Sequence, residues 1–319
     1  MSGAVAQAQI TIPTVMVGNP NNAADSYGYG AVGYSYAIGT YEVTTNQYTA
    51  FLNAVATTTD TYSLYHSNMG SSQYGGITRS GSSGSYSYAV KSGFENKPVN
   101  YVSFWDAARF ANWLNNGQGI GSTETGSYTL GSVTNPENSS VVRNSGANWV
   151  VASENEWYKA AYYDPNKGGA GVGGYWLYPT QSDTLGNNTA FTATNGANYD
   201  DGDYAVFSGS NDGALPVGTY ANADSFYGTF DQGGNLWEWN DTQVNSTSRG
   251  LRGGSWRNIE DSMKSSVRGS SYAQIEGNRT GFRVASLAPI PEPSTYGATM
   301  GVMALAVVMM RRRKARGTL

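Results

Sequence analysis

The 319-residue chain is long enough to bury a large core, and its formal net charge of −4 becomes about −8 over residues 1–290, where 14 basic residues face 22 acidic ones. That balance predicts no nucleic-acid partner and leaves hydrated cations or neutral ligands such as sugars. The absence of cysteine excludes disulfides, thiolate metal sites and cysteine nucleophiles, and the single histidine, His66, cannot alone build a zinc or non-haem iron centre.

Taken in chain order, Ala4-Val5-Ala6-Gln7-Ala8 has the small-residue character of a signal-peptidase site, without the basic and apolar segments that normally precede one. Residues 1–8 are read as the end of a longer signal peptide; the alternative is that Met1 is the true start and the protein stays inside. A short strand is expected at 34–38. Thr44 or Thr45 then caps a helix that carries Tyr48, Phe51, Leu52 and Val55 at helical spacing. Ser103 and Asp106 form a capping box for a helix over 104–114, and Ser153 with Glu156 repeats the device ahead of Trp157, Ala160 and Ala161. Further short strands are expected at 149–151, 251–254 and 281–285.

Between these elements lie long stretches rich in Gly, Ser, Asn and Tyr, at 57–93, 117–148 and 168–210. His66 falls in the first and is expected in a loop. Loops of this length either serve function or are tied down locally. The chain's 41 Gly and 24 Tyr suit ordered polar loops, and its 8 Trp argue against disorder. One loop-rich α+β domain over 9–288 is the reading.

Residues 289–319 have a different character. Pro291-Glu292-Pro293 precedes an uncharged, mostly apolar stretch, 295–310, and then Arg311-Arg312-Arg313-Lys314. As a helix the apolar stretch would span about 24 Å, and flanking arginines extend its reach toward a bilayer of roughly 30 Å. It reads as a C-terminal transmembrane helix with its basic end in the cytoplasm. A plain membrane anchor is one explanation. The tripartite order also resembles the PEP-CTERM sorting signal of Gram-negative bacteria. That resemblance implies processing by an exosortase-type protease, initial anchoring in the inner membrane, and export to the envelope, outer surface or extracellular matrix.

Six stretches of the body, taken together, resemble the formylglycine-generating enzyme (sulfatase-modifying factor) family. They are Gly39-Thr40-Tyr41-Glu42-Val43-Thr44, Lys97-Pro98-Val99-Asn100-Tyr101-Val102-Ser103, Val151-Ala152-Ser153-Glu154-Asn155-Glu156-Trp157, Phe230-Asp231-Gln232-Gly233-Gly234-Asn235-Leu236-Trp237-Glu238-Trp239, Arg252-Gly253-Gly254-Ser255-Trp256 and Gly281-Phe282-Arg283-Val284. The resemblance implies an elaborated C-type-lectin-like fold.

It also implies sites. Asn235 and Glu238 match residues that help bind structural calcium, and a second calcium site would fall on Asn198, the Tyr199 carbonyl and Asp212; the other reading of Asn235 and Glu238 is that they hydrogen-bond their own turn. Asp200, Asp201 and Asp203 form an acidic cluster that is either a solvated loop or a site. The family's copper-binding cysteines correspond to about Asn258 and Met263, an amide and a thioether that cannot replace a dithiolate, so no copper and no catalytic residues are expected. Near that position Arg252, Arg257, Arg268, Arg279 and Arg283 gather with Glu260, Asp261 and Trp256. They either bind an anionic or sugar ligand, chiefly through Trp256, Arg257, Arg268 and Arg283, or form structural ion pairs. The expected protein is an exported, calcium-stabilised, non-catalytic domain that binds carbohydrate, matrix or protein. A diverged oxidase or protein-modifying enzyme is the alternative.

Overall fold

Capping chemistry starts the three longer helices where the sequence predicts. In the computed structural model, which describes residues 9–184, 186, 188, 191–200 and 213–288, Thr44, Ser103 and Ser153 each accept a hydrogen bond from the backbone three residues on, and Gln47, Asp106 and Glu156 reach back to the cap. Each box satisfies two N–H groups that a helix start leaves unpaired.

The elements run β1 (Thr14–Val17), β2 (Tyr36–Gly39), α1 (Thr45–Val55), α2 (Asn68–Ser71), β3 (Ile77–Ser80), β4 (Ser87–Val90), α3 (Phe104–Asn115) and β5 (Trp149–Val151). They continue with α4 (Glu154–Tyr162), β6 (Tyr163–Asp164), β7 (Gly174–Tyr175), β8 (Trp237–Gln243), β9 (Ser248–Arg252), β10 (Gly269–Tyr272), β11 (Thr280–Phe282) and β12 (Val284–Ser286).

Two four-stranded sheets organise the domain, one ordered β1-β2-β12-β5 and the other β10-β9-β8-β11. The stretch expected as one strand over 281–285 is in fact two. β11 pairs in parallel with β8, the chain breaks at Arg283, and β12 pairs antiparallel with β2 and β5 in the other sheet. Arg283 thus sits where the chain changes sheets, and its buried side chain explains the break.

The core fills with aromatic side chains from the helices. Phe51 of α1 meets Phe110 and Trp113 of α3 at ring-centroid distances of 5.5 and 5.4 Å, and Phe110 meets Phe282 of β11 at 5.4 Å. These offset and edge contacts are the favoured aromatic geometries. Among the described residues one compact unit extends to Leu287, and no helix is long and apolar enough to cross a membrane. Residues 1–8, the expected transmembrane stretch 295–310 and the sorting-signal residues Pro291, Glu292, Pro293, Arg311, Arg312 and Arg313 lie outside the described residues.

Candidate functional site

The turn before β8 brings two of the expected calcium-site asparagines into contact. Asn198 donates through Nδ2 to Asn235 Oδ1 at 3.2 Å and to the Gly213 carbonyl at 3.2 Å, while the Leu215 N–H donates to Asn235 Oδ1 at 2.9 Å. Asn235 holds a left-handed backbone, φ 56°, next to Gly234 at φ 79°. Only glycine fits at 234, because a Cβ there would stand 2.3 Å from the Asn198 carbonyl oxygen.

Whether this chain suits calcium differs between the two expected sites. Asn198 Oδ1 is buried with no hydrogen-bond partner among the described residues, an acceptor that a hard cation would satisfy. The Tyr199 carbonyl beside it accepts from Asn188 Nδ2 at 3.1 Å. Glu238 is committed elsewhere. Its Oε1 takes Arg283 Nη2 at 2.6 Å, and its Oε2 takes Arg283 Nε at 2.6 Å and Trp157 Nε1 at 2.7 Å. Asp212 lies outside the described residues, as do Asp201 and Asp203, whereas the Asp200 N–H donates to the Asn258 carbonyl at 2.9 Å. Among the described residues no three His, Cys, Asp or Glu side chains converge as a metal site.

Asn258 and Met263, expected at about the family's cysteine positions, make structure-forming contacts. Asn258 Oδ1 accepts from Ser255 Oγ at 2.6 Å and from Trp237 Nε1 at 2.9 Å. Met263 is buried in a small apolar cluster with Tyr178, Ala197 and Tyr199. Trp256 is buried too, its ring 5.2 Å from Tyr74 and 5.8 Å from the Arg257 guanidinium.

Three of the expected arginines divide between two buried carboxylates. Arg283 is fully buried against Glu238 and donates to the Gly39, Thr40 and Phe230 carbonyls at 3.0, 3.3 and 2.9 Å, so it presents nothing to a ligand. Arg252 and Arg268 share a different carboxylate, Glu154, at 2.9 and 2.8 Å. Arg252 also donates to the Ser265 and Val267 carbonyls, and its guanidinium lies 4.4 Å from the Tyr29 ring. Asp261 pairs with Lys264 at 2.5 Å.

The structure also brings together groups that no local sequence pattern marks. Glu42 is buried with neither carboxylate oxygen partnered among the described residues; burial, followed by repulsion from Asp231 and Glu238, holds its carboxyl well above the usual range. Glu276 is pushed up to about 9 by burial and by the charge and hydrogen bond of Asp106, the capping residue of α3. His66, in its loop as expected, stacks on Tyr101 at 5.5 Å and lies 3.7 Å from Glu276. A fourth group surrounds Arg143, which joins Glu156 to Asp241.

Fold and site define a loop-rich α+β domain braced by buried arginine–carboxylate pairs. The chain belongs to the family of the sulfatase-modifying factor enzyme 1-like domain, which matches residues 29–288. A comparison with curated proteins gives no match. Among solved structures, variable protein 1 of Treponema denticola matches with a TM-score of 0.53 at 18 % identity, covering 88 % of this chain and 97 % of that one. CarF matches with a TM-score of 0.51 at 18 % identity, covering 88 % and 99 %. At such identities the likeness is one of fold.

Proposed function

We propose that this chain is a non-catalytic member of its family, exported to the envelope or extracellular matrix of a Gram-negative cell, where it binds polysaccharide or protein. The observation that carries the reading is the absence of cysteine from the sequence. Asn258 and Met263, about where the resemblance puts the copper ligands, are hydrogen-bonded and packed. An amide and one thioether supply no dithiolate for Cu(I). The sequence of residues 289–319 supports processing by an exosortase-type protease after membrane anchoring. Structural calcium is proposed at Asn198, whose buried Oδ1 lacks a partner among the described residues.

The test of the non-catalytic reading uses the full chain. Purified protein is incubated with Cu(I), its metal content is measured, and oxygen uptake is followed with a cysteine-containing peptide. The expected outcome is no stoichiometric copper and no uptake above the protein-free rate. One bound copper per chain together with peptide-dependent uptake would establish the diverged oxidase instead. Export is tested separately, by protease accessibility on intact cells with and without residues 289–319.

A further inference from the structure

Where the 117–148 loop meets β8, a cleft of about 320 Å³ opens beside Tyr34, Val142, Arg143, Ser153, Asp241 and Gln243. Its volume lies at the lower end of the ~300–1,000 Å³ typical of small-molecule sites.

The floor is rigid and electrically balanced. Arg143 donates to Glu156 Oε1 and Oε2 at 2.9 and 2.7 Å, to the Val151 carbonyl at 2.8 Å, and through Nε to Asp241 Oδ2. Tyr34 donates its hydroxyl to Glu156 Oε1 at 2.6 Å, and Tyr128 donates to Asp241 Oδ2 at 3.1 Å. Arg249, which also lines the cleft, donates to the Asp241 and Val141 carbonyls and to Asn138. Two arginines therefore offset two carboxylates, and every nitrogen of Arg143 has a protein acceptor. An anionic ligand finds no uncommitted cation on this floor.

What remains unspent is neutral-ligand chemistry. Asp241 Oδ1 has no donor among the described residues, and neither end of the Gln243 side-chain amide has a partner there. Tyr34 is 46 % exposed although its hydroxyl is held, and Val142 on the rim is 66 % exposed. An exposed aromatic ring, one strong acceptor and one amide that both donates and accepts match the two aspects of a pyranose. Such a sugar has an apolar C–H face and adjacent hydroxyls that need both donors and acceptors. The supporting ion pairs fix the floor in advance, which lowers the ordering cost of binding.

We infer that this cleft binds a neutral pyranose unit. The inference deepens the proposed binding role and rests on it for biological setting, while its chemistry stands on the cleft alone. The ligand's source is either a free saccharide or a unit within a polysaccharide chain.

The test titrates the full chain with maltose, cellobiose, lactose and mannobiose, and with soluble dextran, β-glucan and galactomannan, by calorimetry and by tyrosine and tryptophan fluorescence. Saturable binding of at least one probe is expected; preference for a polymer over its disaccharide identifies the chain-borne source. Gln243→Ala, which removes no side-chain hydrogen bond among the described residues, and Tyr34→Ala should each weaken binding about tenfold or more. Tyr34→Phe keeps the ring and should retain most of the affinity. Thermal melts check that each variant is folded, and EGTA should leave binding unchanged because the inferred recognition uses no metal. The inference is overturned if a cooperatively melting chain binds none of the probes, if binding survives both alanine variants, or if EGTA abolishes it. Oxidase activity in the copper assay would leave this result untouched, and absent sugar binding would leave the non-catalytic reading standing.

Discussion

Replacing Arg283 by methionine, which fills much of the same volume without charge, tests what holds the two sheets together. The substitution removes two charge-assisted bonds of 2.6 Å to Glu238 and the donors to three backbone carbonyls. It leaves Glu238 buried with Trp157 as its remaining donor, close enough to Glu42 and Asp231 for the three carboxylates to repel one another. Orphaning one partner of a buried pair costs about 3–5 kcal/mol, against a typical domain stability of about 5–15 kcal/mol. The variant should therefore lose roughly a fifth or more of its unfolding free energy in urea, followed by tryptophan fluorescence at pH 7. The double variant Arg283→Met, Glu238→Met removes the stranded charge and should recover part of that loss. A single-variant cost below about 1 kcal/mol, or a double variant whose cost equals the sum of the two single ones, would refute the reasoning.

Three further outcomes follow from the same structure. Glu276 holds its proton to about pH 9 when folded against an ordinary value of 4.5, so its stabilisation is complete below pH 4.5 and is lost as pH rises through 9; melting temperature should fall across pH 5–9, and Glu276→Gln, which keeps a donor for Asp106, should flatten that fall. If calcium sits at Asn198, adding it in excess should raise the melting temperature, EGTA should reverse the rise, and Asn198→Ala should abolish the response. Gly234→Ala forces a Cβ to 2.3 Å from the Asn198 carbonyl at a φ of 79°, and chemical denaturation should show a loss of about 2 kcal/mol or more.

The sequence carries the helices because their signals are local. Each capping box lies within four residues, and the apolar positions of α1 and α3 repeat at helical spacing. The strands are less legible. β8, Trp-Glu-Trp-Asn-Asp-Thr-Gln, lacks apolar alternation because the polar Glu238 and Asn240 are both buried, so it resembles a turn motif more than a strand. Gly281-Phe282-Arg283-Val284 reads as one strand, and only the pairing partners reveal that it serves two sheets. The same limit applies to the site. Asn198 and Asn235 were marked by resemblance, whereas Glu276 against Asp106, or Arg143 between Glu156 and Asp241, depends on residues far apart in the chain. Such pairs have no signature in one sequence.

Buried arginines hold the loops of this fold together. A domain built from long loops has many carbonyls that no ladder or helix satisfies, and each must find a donor if buried. Arg109 reaches the Val133 and Thr134 carbonyls, Arg249 those of Asn138, Val141 and Asp241, Arg252 those of Ser265 and Val267, and Arg283 those of Gly39, Thr40 and Phe230. Arg109, Arg252 and Arg283 are each also paired to a buried glutamate, respectively Glu124, Glu154 and Glu238. A planar guanidinium with five donors suits this task, bracing separate loop segments and a carboxylate at once. None of these guanidinium tethers ends on Asn258 or Met263, which hold other segments in their own way: Asn258 accepts from Trp237 Nε1 and from the Asp200 N–H, and the Met263 carbonyl accepts from the Tyr162 hydroxyl. The arginine tethers therefore do not depend on which side chains stand at 258 and 263. The surfaces that those loops display include the Tyr34–Gln243 cleft.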